Sequence, residues 1–188
     1  MSQSDIIKNL TDREIKKSLI LSNGLFLFIA LGVGLFLFSS WHQWFALFHW
    51  DLKDIVYYGV LPGVIIVLID FVFMFVFDKR HYDDGGINER IFKSCRIPEI
   101  FLFTLMIASC EEVLFRGVIQ SWFGFIPASI IFAFVHVRYL KKPLLIISIF
   151  FVSFYIGYLF ELTGNLISVI TAHFIVDFLL GLFIYFKK

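Results

Sequence analysis

Apolar runs about as long as a bilayer is thick recur along this chain and leave few folds open to it. They cover residues 19–38, 55–77, 100–122, 144–160 and 166–186, with a shorter run over 128–140. A helix needs about 20 residues to cross a hydrocarbon core of about 30 Å. The long runs are of that order, and 60% of the 188 residues are hydrophobic and 20% aromatic. A mean hydropathy of +0.88 is foreign to soluble domains. The pattern predicts an all-α, polytopic membrane bundle of six transmembrane helices. It divides into an interfacial segment (1–18), two spans with a cytoplasmic loop (19–98) and a membrane core (99–188).

The charges orient this bundle. Lys8, Arg13, Lys16 and Lys17 fall on one side of six spans, with Lys79, Arg80, Arg90, Lys93 and Arg96. Arg138, Lys141, Lys142, Lys187 and Lys188 fall there too, while Lys53 lies opposite. Cytoplasmic links carry such an excess, so both termini are expected in the cytoplasm. The basic N-terminus and first run resemble a signal peptide. That run is about twice the usual length and no small-residue cleavage site follows, so it is expected to remain as a span. Thr11 and Glu14 have capping-box spacing and predict a helix start before it. Trp41, Trp44 and Trp50 suit a headgroup interface, residues 83–86 read as a turn within a polar loop over 78–99, and Pro127 suits a first helical position. A net charge of +1 offers no basic field for nucleic acid. Cys95 and Cys110 form no redox pair and read as small apolar fillers.

Within the third run stands Cys-Glu-Glu-Val-Leu-Phe-Arg-Gly, residues 110–117. Ionisable groups at membrane depth are costly and point to function. Glu112 and Arg116 are four apart on one helical face, suited to an ion pair, and Glu111 points about 100° away. His136 lies in the fourth run, with Phe132 one turn before it as an aromatic wall. His173 and Asp177 are four apart in the sixth, so Asp177 is placed to orient the imidazole. Counting rises puts Glu111 ~18–21 Å, His173 ~17–20 Å and Asp177 ~11–14 Å from the cytoplasmic face. Three helices thus bring polar groups near mid-depth. A carboxylate facing an imidazole in a secluded pocket is a general-base pair for activating water. His173, and Asp177 when protonated, are placed to donate to a developing oxyanion. The chemistry this favours is hydrolysis of an acyl bond, most simply a peptide.

Glu111-Glu112-x-x-x-Arg116, Phe132-x-x-x-His136 and His173-x-x-x-Asp177 together resemble the three-motif signature of the CAAX protease and bacteriocin-processing (CPBP or Abi, type II CAAX prenyl endopeptidase) family. The likeness covers roughly residues 99–186. It implies an intramembrane endopeptidase with Glu111 and His136 activating water and no cofactor. It also implies a membrane-associated peptide or protein tail as substrate. Motif three in that family ends in Asn or a similar residue, and Asp177 stands there. The short chain, without a soluble appendage, suits a bacterial cytoplasmic membrane.

Other readings compete. Glu111, His136 and His173 form a known zinc ligand set, ranked second because no H-E-x-x-H is present. The same acids and histidines would serve an ion- or proton-coupled carrier, although no internal repeat is visible. A non-catalytic immunity protein that binds peptide is a third reading. A purely structural ion-pair network leaves Glu111 unexplained. Asp70 reads as structural, His42 and His49 as interfacial, and Lys187 and Lys188 as anchors.

Overall fold

A computed structural model describes residues 10–139 and 142–187, and all regular structure among them is helical. Helix α1 (Asp12–Leu37) starts on the expected capping box. The Glu14 N–H donates to Thr11 Oγ1 (3.3 Å) and the Thr11 N–H to the Glu14 carboxylate (2.7 Å). The interfacial turn and the first span are therefore one helix. Short α2 (Trp41–Phe45) leads to α3 (Leu52–Val76), which is π-helical over Ile55–Val60. The link expected as a loop holds a 3₁₀ turn and helix α4 (Ile87–Lys93). Asp83 accepts from the N–H groups of Gly85 and Gly86, and Asp84 from those of Ile87 and Asn88, so the turn residues themselves start α4.

Helix α5 runs over 97–123: Ile97–Leu114, a π-helical stretch Phe115–Gln120, and Ser121–Phe123. Gly124, at φ +87°, ends it and begins α6 (Phe125–Val135). Pro127 is thus the third residue of α6 rather than the first, still among the N–H groups a helix leaves unpaired. A 3₁₀ turn, α7 (Pro143–Thr163) and α8 (Leu166–Phe186) complete the fold. Among the described residues α1, α3, α7 and α8 are long and apolar enough to cross a membrane. The eleven residues of α6 rise only ~16 Å. It stops at Val135, not at 140 as the apolar run suggested, so His136 lies beyond its end.

Helix α8 is the centre, packed against α3, α5 and α7. One core cluster joins Ile66 and Val67, Ile156 and Leu159, and Val169 and Val176 from α3, α7 and α8. A second joins Ala30, Trp44, Leu114, Phe115 and Phe132. Trp44 was expected at the headgroups but is only 3% exposed, held among Phe38, Trp41 and Phe45, whereas Trp50 faces outward. The outer faces are apolar too: Phe36 and Phe75 are about 90% exposed, as suits a lipid-facing surface.

Polar bonds tie one end of the bundle. Lys16 donates to the Ser94 carbonyl (2.9 Å) and Glu99 (3.2 Å), Arg90 to Asp12 (3.0 Å), and Lys142 to the Arg80 carbonyl (3.2 Å). The basic residues of three links thus gather together; Lys8, Lys141 and Lys188 lie outside the described residues. Because backbone in the region of Gly124 is essentially closed to other residues, Gly124→Val is expected to cost about 1–3 kcal/mol. The check is a lower melting temperature of the detergent-solubilised protein.

Candidate active site

The site is built from a buried arginine outward. Arg116 and Glu112 are both fully buried, with Arg116 Nε donating to Glu112 Oε2 at 3.1 Å. Arg116 Nη1 donates to Gln120 Oε1 and Ser129 Oγ, both 3.3 Å away. Nη2 reaches the Ser153 carbonyl (3.0 Å) and Ser153 Oγ (3.2 Å). The guanidinium carbon lies 5.3 Å from the Phe132 ring centre, within cation–π range. One side chain therefore joins α5, α6 and α7. Gly157 makes room for it: a Cβ there would sit 2.9 Å from Arg116 Nη1 and 2.8 Å from Ser129 Oγ. The π-helical stretch begins at Phe115. Such bulges are frequent at functional sites, and this one contains Arg116.

The other oxygen of Glu112 faces α8. His173 Nδ1 lies 2.7 Å from Glu112 Oε1. A carboxylate accepts, so Nδ1 carries a proton and Nε2 is the ring atom left to face elsewhere. The bond that orients this imidazole thus comes from Glu112. Asp177, expected in that role, lies 3.6 Å from Nε2 instead. Glu112 has two tasks, one oxygen for each, and is a through-space link between Arg116 and His173.

His136 is positioned by a helix end. Its backbone N–H turns back to Ala133, which leaves the Phe132 carbonyl without its usual partner four residues on. His136 Nδ1 fills that place at 2.8 Å. A carbonyl only accepts, so Nδ1 again carries the proton and Nε2 faces inward. The Phe132 ring walls both imidazoles, its centre 4.8 Å from that of His136 and 6.0 Å from that of His173.

Glu111 Oε2 lies 3.8 Å from His136 Nε2 and 4.0 Å from His173 Nε2. Helices α5 and α8 and the end of α6 thus bring a carboxylate and two imidazole Nε2 atoms to one place. The site opens on a cavity of about 790 Å³ whose walls include Glu111, Phe132, His136, His173 and Asp177. Asp70 also lines it and accepts from Ser148 Oγ at 3.2 Å. The donor types suit zinc, with protein acceptors behind both rings. Two ligands of one tetrahedral zinc lie only about 3.3 Å apart, and the spacings here are wider. Among the described residues no group of three His, Cys, Asp or Glu is set to hold a metal ion. Cys95 and Cys110 are free and buried, as expected of fillers.

Sequence reasoning missed Gln120, Ser129 and Ser153. Gln120 was within reach, being four residues after Arg116 on the same helical face. Two small hydroxyls on neighbouring helices leave no such trace. Stranding one partner of a buried ion pair costs about 3–5 kcal/mol. Arg116→Ala is therefore expected to lower the yield of folded, monodisperse protein on size exclusion, and Arg116→Lys to restore only part of it, since an ammonium lacks the planar fork.

A family model described as Type II CAAX prenyl endopeptidase Rce1-like matches residues 93–179, which contain all seven motif residues. The chain is 47% identical over 155 residues to the uncharacterized protein YpbD of Bacillus subtilis (strain 168), covering 81% of each. No solved structure matches at a significant level. On these similarities, and on a helical fold that gathers the three motifs, the chain belongs to the Rce1-like family of type II CAAX prenyl endopeptidases.

Proposed function

We propose that the protein is an intramembrane endopeptidase that hydrolyses a peptide bond in a membrane-associated peptide or protein tail. The observation that carries this is the approach of Glu111 Oε2 to the Nε2 atoms of His136 and His173, at 3.8 and 4.0 Å. A water beside Glu111 and His136 gives one proton to the Glu111 carboxylate while its oxygen bonds to the substrate carbonyl carbon. The carbonyl π pair moves onto oxygen. His173, when doubly protonated, donates to that oxyanion through Nε2, and Asp177 does so when it carries a proton. The carbon–nitrogen bond then breaks, and the proton on Glu111 passes to the leaving amine. Glu112 and Arg116 touch no reacting atom in this scheme; they hold His173 and the helices in register.

The fold reading extends to six spans, with α5 and the half-depth α6 joining the four apolar helices, both termini facing a bacterial cytoplasm. The gathering of basic links at one end of the bundle supports it. A C-terminal green fluorescent fusion is expected to fluoresce in cells, and an active C-terminal alkaline phosphatase fusion would reverse the orientation.

Two variants test the chemistry. Glu111→Gln and His136→Ala are each expected to abolish cleavage, by at least a hundredfold, while the protein still inserts. Comparing membrane peptides from cells with wild-type and Glu111→Gln protein identifies the substrate. Retained cleavage in Glu111→Gln sinks the role given to Glu111, and no cleavage by the wild type with a cellular phenotype left intact by Glu111→Ala favours a peptide-binding protein. Proton flux in vesicles that is lost in Glu111→Gln favours a carrier. Metal dependence is tested apart: activity is expected to survive a chelator, and loss restored by zinc would assign Glu111, His136 and His173 as ligands.

A further inference from the structure

The proposed reaction makes no use of Asn23. This residue stands in the interior of α1, is 3% exposed, and lines the same cavity as Glu111 and His173. Its Nδ2 donates to the Leu19 carbonyl at 3.0 Å. A carbonyl only accepts, so this bond settles which end of the amide is nitrogen and leaves Oδ1 for another partner. Among the described residues Oδ1 is buried and accepts no hydrogen bond. Native proteins carry few such atoms, because an unsatisfied buried acceptor loses its hydration with nothing in return. Ser18, Ser22 and Phe26, at helical spacing around it, line the same wall.

Two contacts set its height. Lys16 meets Glu99 at 3.2 Å, and the Phe26 and Phe115 rings meet edge-on at 5.9 Å. Helices α1 and α5 therefore run side by side in the same direction. Counting from the first contact puts Asn23 five helical rises short of Glu111, and from the second one rise beyond it, so the two differ in height by roughly 2–8 Å. That is at most about two residues of extended chain. A peptide drawn into a largely apolar cavity brings backbone N–H groups that are costly to leave without an acceptor. The orphaned oxygen and the incoming amide answer the same need.

We infer that Asn23 forms a substrate subsite, its Oδ1 accepting one backbone N–H of an extended peptide within two residues of the scissile bond. The inference rests on the peptidase reading for the position of that bond. It assigns substrate recognition to α1, which lies outside the residues 93–179 that carry the motifs.

The test measures binding of a synthetic farnesylated peptide ending Cys-aliphatic-aliphatic-X to detergent-solubilised Glu111→Gln protein, which holds the peptide uncut. A series replaces each backbone N–H in turn by an ester oxygen. One replacement within two residues of the scissile bond is expected to weaken binding about fivefold, the size of one neutral hydrogen bond. That loss should vanish in Glu111→Gln/Asn23→Leu and persist with Asn23→Asp, which keeps an acceptor. If Asn23→Leu does not fold, the ester series on the Asn23-intact protein decides. Binding that no ester weakens, a loss identical with and without Asn23, or no saturable binding overturns the subsite. An Asn23-dependent loss in a protein whose wild type never cuts the peptide keeps the subsite and removes the peptidase reading.

Discussion

The buried ion pair of Glu112 and Arg116 is the constraint from which the rest of the site follows. A guanidinium at this depth needs most of its donors met, and here they are met by Glu112, Gln120, Ser129 and Ser153 from three helices. Helices in lipid gain little from burying apolar surface against one another, so packing and polar bonds between them decide their register. Arg116 supplies several such bonds from one residue. Glu112 then extends the network through its second oxygen to His173 on α8. The position of an imidazole in the site thus depends on a fully buried charge pair behind it.

Both histidines are held in the same way by different means. Each commits Nδ1 to a protein acceptor, a carboxylate for His173 and a helix-terminal carbonyl for His136. Each thereby presents Nε2 toward Glu111. In His136 the device depends on α6 ending early, since a continued helix would give the Phe132 carbonyl to the backbone. The short helix at first reads as a poor span. It is what brings a histidine to Glu111 with a defined tautomer.

Much of this was legible in the sequence because it rests on local periodicity. The length of the apolar runs anticipates α1, α3, α7 and α8, and the four-residue spacing of Glu112 and Arg116 anticipates their pairing. The motifs likewise anticipate that Glu111, His136 and His173 meet. What was not legible depends on tertiary partners. The spacing of His173 and Asp177 offers a local orienting carboxylate, yet the shorter bond comes from Glu112, 61 positions away. The apolar run past Val135 conceals a helix end, because Val137 and Leu140 are as hydrophobic as what precedes them. Trp44 carries the composition of an interface residue and was drawn inward by α1, where it stacks on Phe38. Asn23 carried no signal, since a lone amide in a span gains meaning only from the cavity beside it.

That last point bears on how the parts of the chain divide the roles proposed for them. The motif residues lie within 93–179, while α1 and α3 contribute Asn23 and Asp70 to the cavity from outside that range. On the proposed reading chemistry and recognition are borne by different parts of the chain, joined by the packing of α1 on α5 and of α3 on α8. The imidazoles facing Glu111 are held by the cage around Arg116, through Glu112, and by the end of α6. Under the proposed function such an arrangement would let substrate choice vary while the geometry around Glu111 stays fixed, the general relation between a scaffold and the sites grafted on it.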